Sequence, residues 1–246
     1  DIMFSSFFYV CLDAIANQAP RLRYMSGGQT SVPLTVIAPT GPSGSAAAHH
    51  SDNPHGMLMG LPGIKIAFPS SAADFKGLLI ESIREPNPVV FFADLMLLGK
   101  KGDVPEGAYS IEFGKADVKR EGTDVTVVAI GSTVPQALEV ADQLAETGVS
   151  VEVIDPRTLV PFDWDAVAKS VSKTGRLVAV DPNRETCGAA SEIITQAVER
   201  CWSQLKAQPQ RVTWPNVPMP YSPPLEKAVV SDLDDIRRAI ELTLKS

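Results

Sequence analysis

No apolar run in this sequence reaches the roughly 18 residues that a membrane-spanning helix requires, so no membrane partner is expected. Positive charge is also scarce. Lys and Arg total 22 against 29 Asp and Glu, a formal net charge of −7. That balance argues against nucleic acid or an anionic membrane surface as a partner. The three cysteines, Cys11, Cys187 and Cys201, have neither metal-ligand spacing nor a framework pattern. Reduced thiols in a cytosol or comparable compartment are therefore expected. The chain opens on Asp1 without a basic leader, which does not read as a signal peptide. Its apolar residues begin at once, so the expected start lies inside a domain. Neither GxxxxGK[ST] nor GxGxxG occurs, and no internal repeat or low-complexity segment is visible.

What is present is a globular composition, 44% hydrophobic, on a chain of 246 residues. That length accommodates two ordinary cores. A polar, glycine-containing stretch, GKKGDVPEGAY (99–109), separates two blocks. In the first, residues 2–22 are long and mostly apolar, which predicts a buried helix. Strands are predicted at 32–39, 63–70 and 87–93, with a helix at 71–85 capped by a serine. The second block alternates more cleanly. Strands at 123–131, 149–156, 176–182 and 210–215 interleave with helices at 132–148, 162–175, 188–205 and 231–245. Gly148 serves as a stop signal, and Ser231 is the expected cap of the last helix. Such alternation predicts α/β architecture with βαβ units around mostly parallel sheets.

The most informative segment is the loop TGPSGSAAAHHSDNPHG (40–56), which leaves a strand end and holds all three histidines, His49, His50 and His55. Sites in open α/β sheets form beyond the carboxyl ends of strands, and small residues let backbone approach a ligand. An imidazole there suits proton transfer near neutral pH. Two plainer readings stand beside it, a metal-binding pair and histidines satisfied by solvent. An extended loop would point His49 and His50 to opposite sides, which disfavours joint chelation. The glycines around 39–45 are a weak phosphate signal because the loop holds no lysine. Cys187 precedes a helix start, where a thiolate is stabilised, but without a paired base it reads as a packing residue. Asp155 and Asp181 end predicted strands and read as turn caps. The proline-rich run 214–224 is expected to be extended, wrapping a domain edge or a partner.

Seven phrases, in order, together resemble one family: DIMFSSFFYVCLDAIANQAPRLRYMSGGQ, AHHSDNP, LPGIKIAFPSSAADFKGLL, IREPNPVVFF, GTDVTVVAIG, VEVIDPRTLVPFD and NVPMPYSPPLE. The family is that of the beta subunits of pyruvate, branched-chain 2-oxo acid and acetoin dehydrogenases, which are transketolase-like and thiamine-diphosphate-dependent. The resemblance implies two three-layer α/β domains. Residues 1–108 are similar to part of a pyrimidine-binding domain, and residues 115–246 to the transketolase C-terminal domain. It further implies an α2β2 heterotetramer with beta–beta contacts and a lipoyl-bearing acyltransferase component as partner. The alpha subunit would hold magnesium and the diphosphate, in keeping with the lack of a GDG…NN pattern here.

By the same resemblance, His50 matches the histidine that faces cofactor and substrate, while His49 takes a more variable slot. Met3 and Phe7 match residues that pack on the aminopyrimidine. A structural potassium site, built mainly from carbonyls, would map to Leu34, Ser82, Ile83, Glu85 and Asn87. The family's activating glutamate would precede Asp1, so the isolated chain is expected to be catalytically incomplete. Ala93-Asp94 departs from the more usual glutamate at that strand end, which is expected to loosen the local site. The implied reaction is oxidative decarboxylation of a 2-oxo acid with acyl transfer to lipoyl, in the cytoplasm or a mitochondrial matrix. The alternatives are an acetoin dehydrogenase, another transketolase-like beta subunit, or a truncated non-catalytic assembly scaffold.

Overall fold

The structure, a computed structural model, describes residues 1–42 and 44–245; Ser43 of the histidine loop and the terminal Ser246 lie outside it. In chain order the elements are α1 (Ala19–Met25), β1 (Thr35–Thr40), α2 (His55–Met59), β2 (Lys65–Ala67), α3 (Ala72–Arg84) and β3 (Val89–Asp94). Then follow β4 (Asp117–Arg120), β5 (Val125–Ala129), α4 (Thr133–Ala145), β6 (Val151–Asp155), β7 (Thr158–Val160), α5 (Trp164–Thr174) and β8 (Leu177–Arg184). The last are α6 (Ala189–Cys201), β9 (Gln210–Trp214), α7 (Pro223–Val229) and α8 (Leu233–Leu244).

The chain divides into two compact units. The first contains residues 1–115, 157–162 and 218–223, and the second the remainder. The first unit carries the sheet β1-β3-β2-β7 and the second the sheet β4-β6-β5-β8-β9. Both are α/β sheets of mostly parallel strands, with β4 and β7 added antiparallel. No helix among the described residues is long and apolar enough to cross a membrane.

Residue alternation along β5 explains the layering of the second unit. Val125, Val127 and Ala129 enter one core with Val134, Ala137, Val140 and Leu144 of α4 and with Ile236 and Ile240 of α8. Thr126, between them, faces the other way and hydrogen-bonds the hydroxyls of Ser170 and Thr174 on α5. Period-two side chains thus seat helices on both faces of one sheet. In the first unit, Phe91 packs with Leu78 and Phe75 of α3. Its neighbour Phe92 turns to the opposite side, into an aromatic group with Phe8, Phe68 and His55.

The predicted helix over 2–22 is not one buried helix. It is a 3₁₀ segment at Ser5–Val10, a π-helical segment at Asp13–Gln18 and then α1. Pro20 has no N–H to donate and sits in the first turn of α1, so the regular ladder restarts there. Met3, Tyr9 and Val10 are exposed, while Ser5 and Ser6 point inward. The last helix is capped by Asp232, in a reciprocal pair with Asp235, rather than by Ser231. The proline-rich run becomes helical at Pro223, where proline suits a first turn.

Candidate active site at the carboxyl end of β1

The chain leaves β1 at Thr40 and turns at Gly41, whose φ is +89°. Ser45 and Ala47 also have positive φ, 70° and 60°. Such conformations cost non-glycine residues on the order of 1–3 kcal/mol each and cluster at functional sites. They lead into a single 3₁₀ turn, Ala48–His50, where the sequence predicted an extended loop.

The three histidines part company here. His55 is wholly buried and lies edge-on to Phe68 and Phe92, at centroid distances of 5.4 and 6.0 Å. It is a core residue. His49 is exposed, and His50 is half-buried. The His50 ring stands edge-on to Phe4 at 4.5 Å and to Phe7 at 5.6 Å, and its Nδ1 lies 3.3 Å from the Ala46 carbonyl. No cluster of three or more His, Cys, Asp or Glu suited to a metal occurs among the described residues.

Phe7, matched to a residue that packs on the aminopyrimidine, and His50, matched to the histidine that faces cofactor and substrate, therefore come together. Met3 lies on the same N-terminal segment, 74% exposed against 37% for Phe7. Beneath them is a buried polar group that the sequence did not reveal. Ser5 Oγ donates to the Asp52 carbonyl at 2.6 Å and lies 2.9 Å from Thr40 Oγ1. Thr40 Oγ1 in turn lies 3.0 Å from the same carbonyl and in hydrogen-bond contact with the Asn53 side chain. At the facing end of β3, buried Asp94 accepts from the Met96 amide at 3.0 Å.

The five residues matched to a cation site surround the C-terminus of α3. The Ser82 carbonyl accepts from the Thr35 hydroxyl at 2.9 Å and the Glu85 amide at 3.3 Å. The Leu34 carbonyl accepts from the Val89 amide at 2.8 Å. Glu85 takes the Lys65 ammonium on one oxygen and the Asn87 side-chain amide on the other, both at 2.5 Å. Burial alone would raise the Glu85 pKa, but the Lys65 and Asn87 hydrogen bonds outweigh it and hold the group below its ordinary value. Ile83 belongs to the last turn of α3, with its side chain exposed. The two sets lie at opposite ends of β1, roughly 17 Å apart by strand rise. An open, largely apolar groove of about 720 Å³, lined by Pro20, Tyr24, Gly63, Lys65, Asn87 and Pro161 among others, adjoins the cation end; Met3, Phe7 and His50 are not in its lining.

In the second unit, Asp181 lies within β8 rather than at its end, and its carboxylate accepts the Ala190 amide at 3.0 Å at the start of α6. Asp155 lies 3.8 Å from the Lys119 ammonium. Cys187 is exposed rather than packed, with φ of 57°. The positive φ turns the chain at a point where the neighbouring Gly188 meets the Arg184 carbonyl and Asp181 too closely for a Cβ.

The transketolase pyrimidine-binding domain model matches residues 1–101, and the transketolase C-terminal domain model matches residues 114–236. The chain is 42% identical over 236 residues to the acetoin:2,6-dichlorophenolindophenol oxidoreductase subunit beta of Bacillus subtilis, covering 96% of this chain and 69% of that protein. It is 42% identical over 245 residues to the protein of the same name from Cupriavidus necator, covering 100% and 72%. To the pyruvate dehydrogenase E1 component subunit beta of Bacillus subtilis it is 40% identical over 223 residues, covering 90% and 69%. A solved structure described as a split gene transketolase, inactive beta4 tetramer, superposes with a TM-score of 0.77 over 99% of this chain and 74% of that one. Its 22% identity makes that a likeness of fold. The chain belongs to the transketolase-like family of beta subunits that includes those of the pyruvate dehydrogenase E1 component and of acetoin oxidoreductase.

Proposed function

We propose that the chain serves as the beta subunit of a 2-oxo acid dehydrogenase first component, working with an alpha subunit in an α2β2 assembly on thiamine diphosphate. The observation that carries this reading is the edge-on contact of His50 with Phe4 and Phe7, with the exposed Met3 on the same N-terminal segment. A half-buried imidazole against an uncovered apolar face supplies both a proton carrier and a surface for a flat heteroaromatic ring. Exposed apolar groups in one segment commonly mark a ligand or partner site.

The residues fit the cofactor's pyrimidine half. Met3 and Phe7 would pack on the ring, and His50 would hold or move a proton at the substrate-facing side through a ring nitrogen. Lysine is absent from the loop, in keeping with the magnesium diphosphate being held by the alpha subunit. When bound, thiamine diphosphate supplies the electron sink for decarboxylation, and the protein supplies orientation and proton transfer. The acyl group would then pass to a lipoyl-bearing acyltransferase component.

The carbonyl set at the end of α3 fits a hard monovalent cation. The negative dipole end of α3 favours positive charge and oxygen ligands suit a hard cation, while the Ser82 and Leu34 carbonyls, which already accept hydrogen bonds, would have to share or exchange them. The carbonyls of Leu34, Ser82, Ile83, Glu85 and Asn87 would hold potassium there.

A second reading, in which acetoin is the donor, draws on the two acetoin oxidoreductase relatives at 42% identity. Reconstitution with an alpha subunit, using a beta chain that carries the glutamate-containing segment expected upstream of Asp1, tests both readings. Turnover that depends on thiamine diphosphate, compared across pyruvate, branched-chain 2-oxo acids and acetoin, supports the proposal and assigns the donor. Absence of turnover with every donor, in an assembled complex, would overturn it.

A further inference from the structure

The residues that face a ligand come from two stretches of chain, and something must fix one against the other. Phe4 and Phe7 belong to the N-terminal segment, and His50 belongs to the loop after β1. Their rings meet only at edges, which sets orientation weakly. Below the rings, two buried hydroxyls bind the same two stretches directly. Ser5 and Thr40 are each 1% exposed and Asn53 is 3% exposed. Ser5 reaches 47 residues along the chain to the Asp52 carbonyl, and Thr40 meets Ser5, the Asp52 carbonyl and Asn53. A further link runs from the Asp52 amide to Ser6 Oγ at 3.4 Å. Asp52 and Asn53 lie within three residues of His50, Ser5 and Ser6 lie within two of Phe4, and Thr40 joins the two from the end of β1.

We propose that Thr40, with Ser5 and Asn53, acts as a positioning group that locks the Phe4–Phe7 segment to the His50 loop and so sets the placement of the His50 imidazole. This rests on the reading of His50 as a site residue. The physical reason is the cost of leaving such groups unpaired. A buried hydroxyl or carbonyl that loses its partner is strongly penalised, so the knot resists sliding of either stretch. The loop needs such a tie, because its own backbone is strained at Ser45 and Ala47 and would relax without one. Thr40 is placed to act at both sides because it ends β1, whose register against β3 is fixed up to the pair Thr40–Asp94.

The test uses the full chain assembled with an alpha subunit. Thr40→Val keeps the shape and removes the hydroxyl; Thr40→Ser keeps the hydroxyl; Ser5→Ala opens the knot from the other side. The readout is the rate at which diethyl pyrocarbonate modifies His49 and His50, resolved by peptide mass spectrometry. Thr40→Val and Ser5→Ala are expected to speed modification of His50 several-fold, with His49 unchanged and Thr40→Ser close to the parent. In turnover, Thr40→Val should lower kcat by about tenfold with a smaller change in KM, as expected for misplacement rather than lost binding. An unchanged His50 rate in both Thr40→Val and Ser5→Ala would overturn the proposal, as would equal acceleration at His49. If Thr40→Val fails to fold, Ser5→Ala decides. If His50→Ala leaves turnover intact while the modification rates shift as expected, the catalytic reading fails and the positioning claim stands.

Discussion

The ammonium of Lys173 on α5 meets the carboxylate of Glu152, a side chain only 3% exposed in the middle of β6. Burial alone would raise the Glu152 pKa, but hydrogen bonds from Lys173, Ser170 and the Gly122 amide outweigh it and hold the group below its ordinary value of 4.5. Lys173 is raised above 10.5, chiefly by Glu152. The Glu152 contribution is therefore present above pH 4.5 and is lost as pH falls through the depressed folded value. The Lys173 contribution is present below pH 10.5 and is lost as pH rises through the elevated one. Lys173→Met strands a buried anion and should cost about 1–3 kcal/mol at neutral pH, a range reduced because Lys173 is 41% exposed. In urea melts the gap between parent and variant should narrow as pH falls and close only below the depressed folded value of the parent, where Glu152 is protonated in both. A gap independent of pH would contradict this assignment.

Gly122 sits against the same strand. A Cβ there would lie 2.6 Å from the Val151 carbonyl oxygen, with the Glu152 amide closer still, and none of these backbone atoms can swing away. Gly122→Ala should destabilise the second unit by about 1–3 kcal/mol. Gly148, with φ of 85° and open space around it, is the comparison. Gly148→Ala should cost only about 1 kcal/mol, through backbone strain alone. Equal thermal shifts for the two would show that packing at Gly122 is looser than the structure indicates.

We propose that the two domains join within residues 99–115, a stretch exposed throughout 99–108. Limited proteolysis should cut there first, because exposed loop tips are the preferred nicking sites. Early cuts within 123–205 would count against that boundary.

How much of this was legible in the sequence differs by element. Helix α3 announces itself through Ser71, whose hydroxyl accepts the Asp74 amide at 3.1 Å, and through its regular apolar spacing. Strands β5, β6 and β8 are buried and rich in Val, Ile, Leu and Ala, and read as strands. Strands β4 and β7 do not, because Asp117–Arg120 is a charged edge and Thr158–Val160 has three residues. Their strand character comes from antiparallel partners, β6 and β2, distant in sequence. The N-terminal segment misleads because several of its apolar residues, Met3, Tyr9 and Val10, are exposed while Ser5 and Ser6 are buried. The resemblance pointed to His50, but Ser5, Thr40 and Asn53 were out of reach. Hydroxyls become a knot only when the fold brings residues 35 to 47 positions apart into contact.

The central claim is that His50 acts chemically rather than by lying in the right loop. The most direct measurement compares turnover of His50→Ala and His49→Ala complexes, each built on a beta chain carrying the upstream glutamate segment, reconstituted with an alpha subunit and saturated with thiamine diphosphate. His50→Ala should lower kcat by roughly 10²-fold or more, the scale of a lost acid–base group, while His49→Ala, altering an exposed neighbour, should cost far less. Equal losses from the two substitutions would contradict the account.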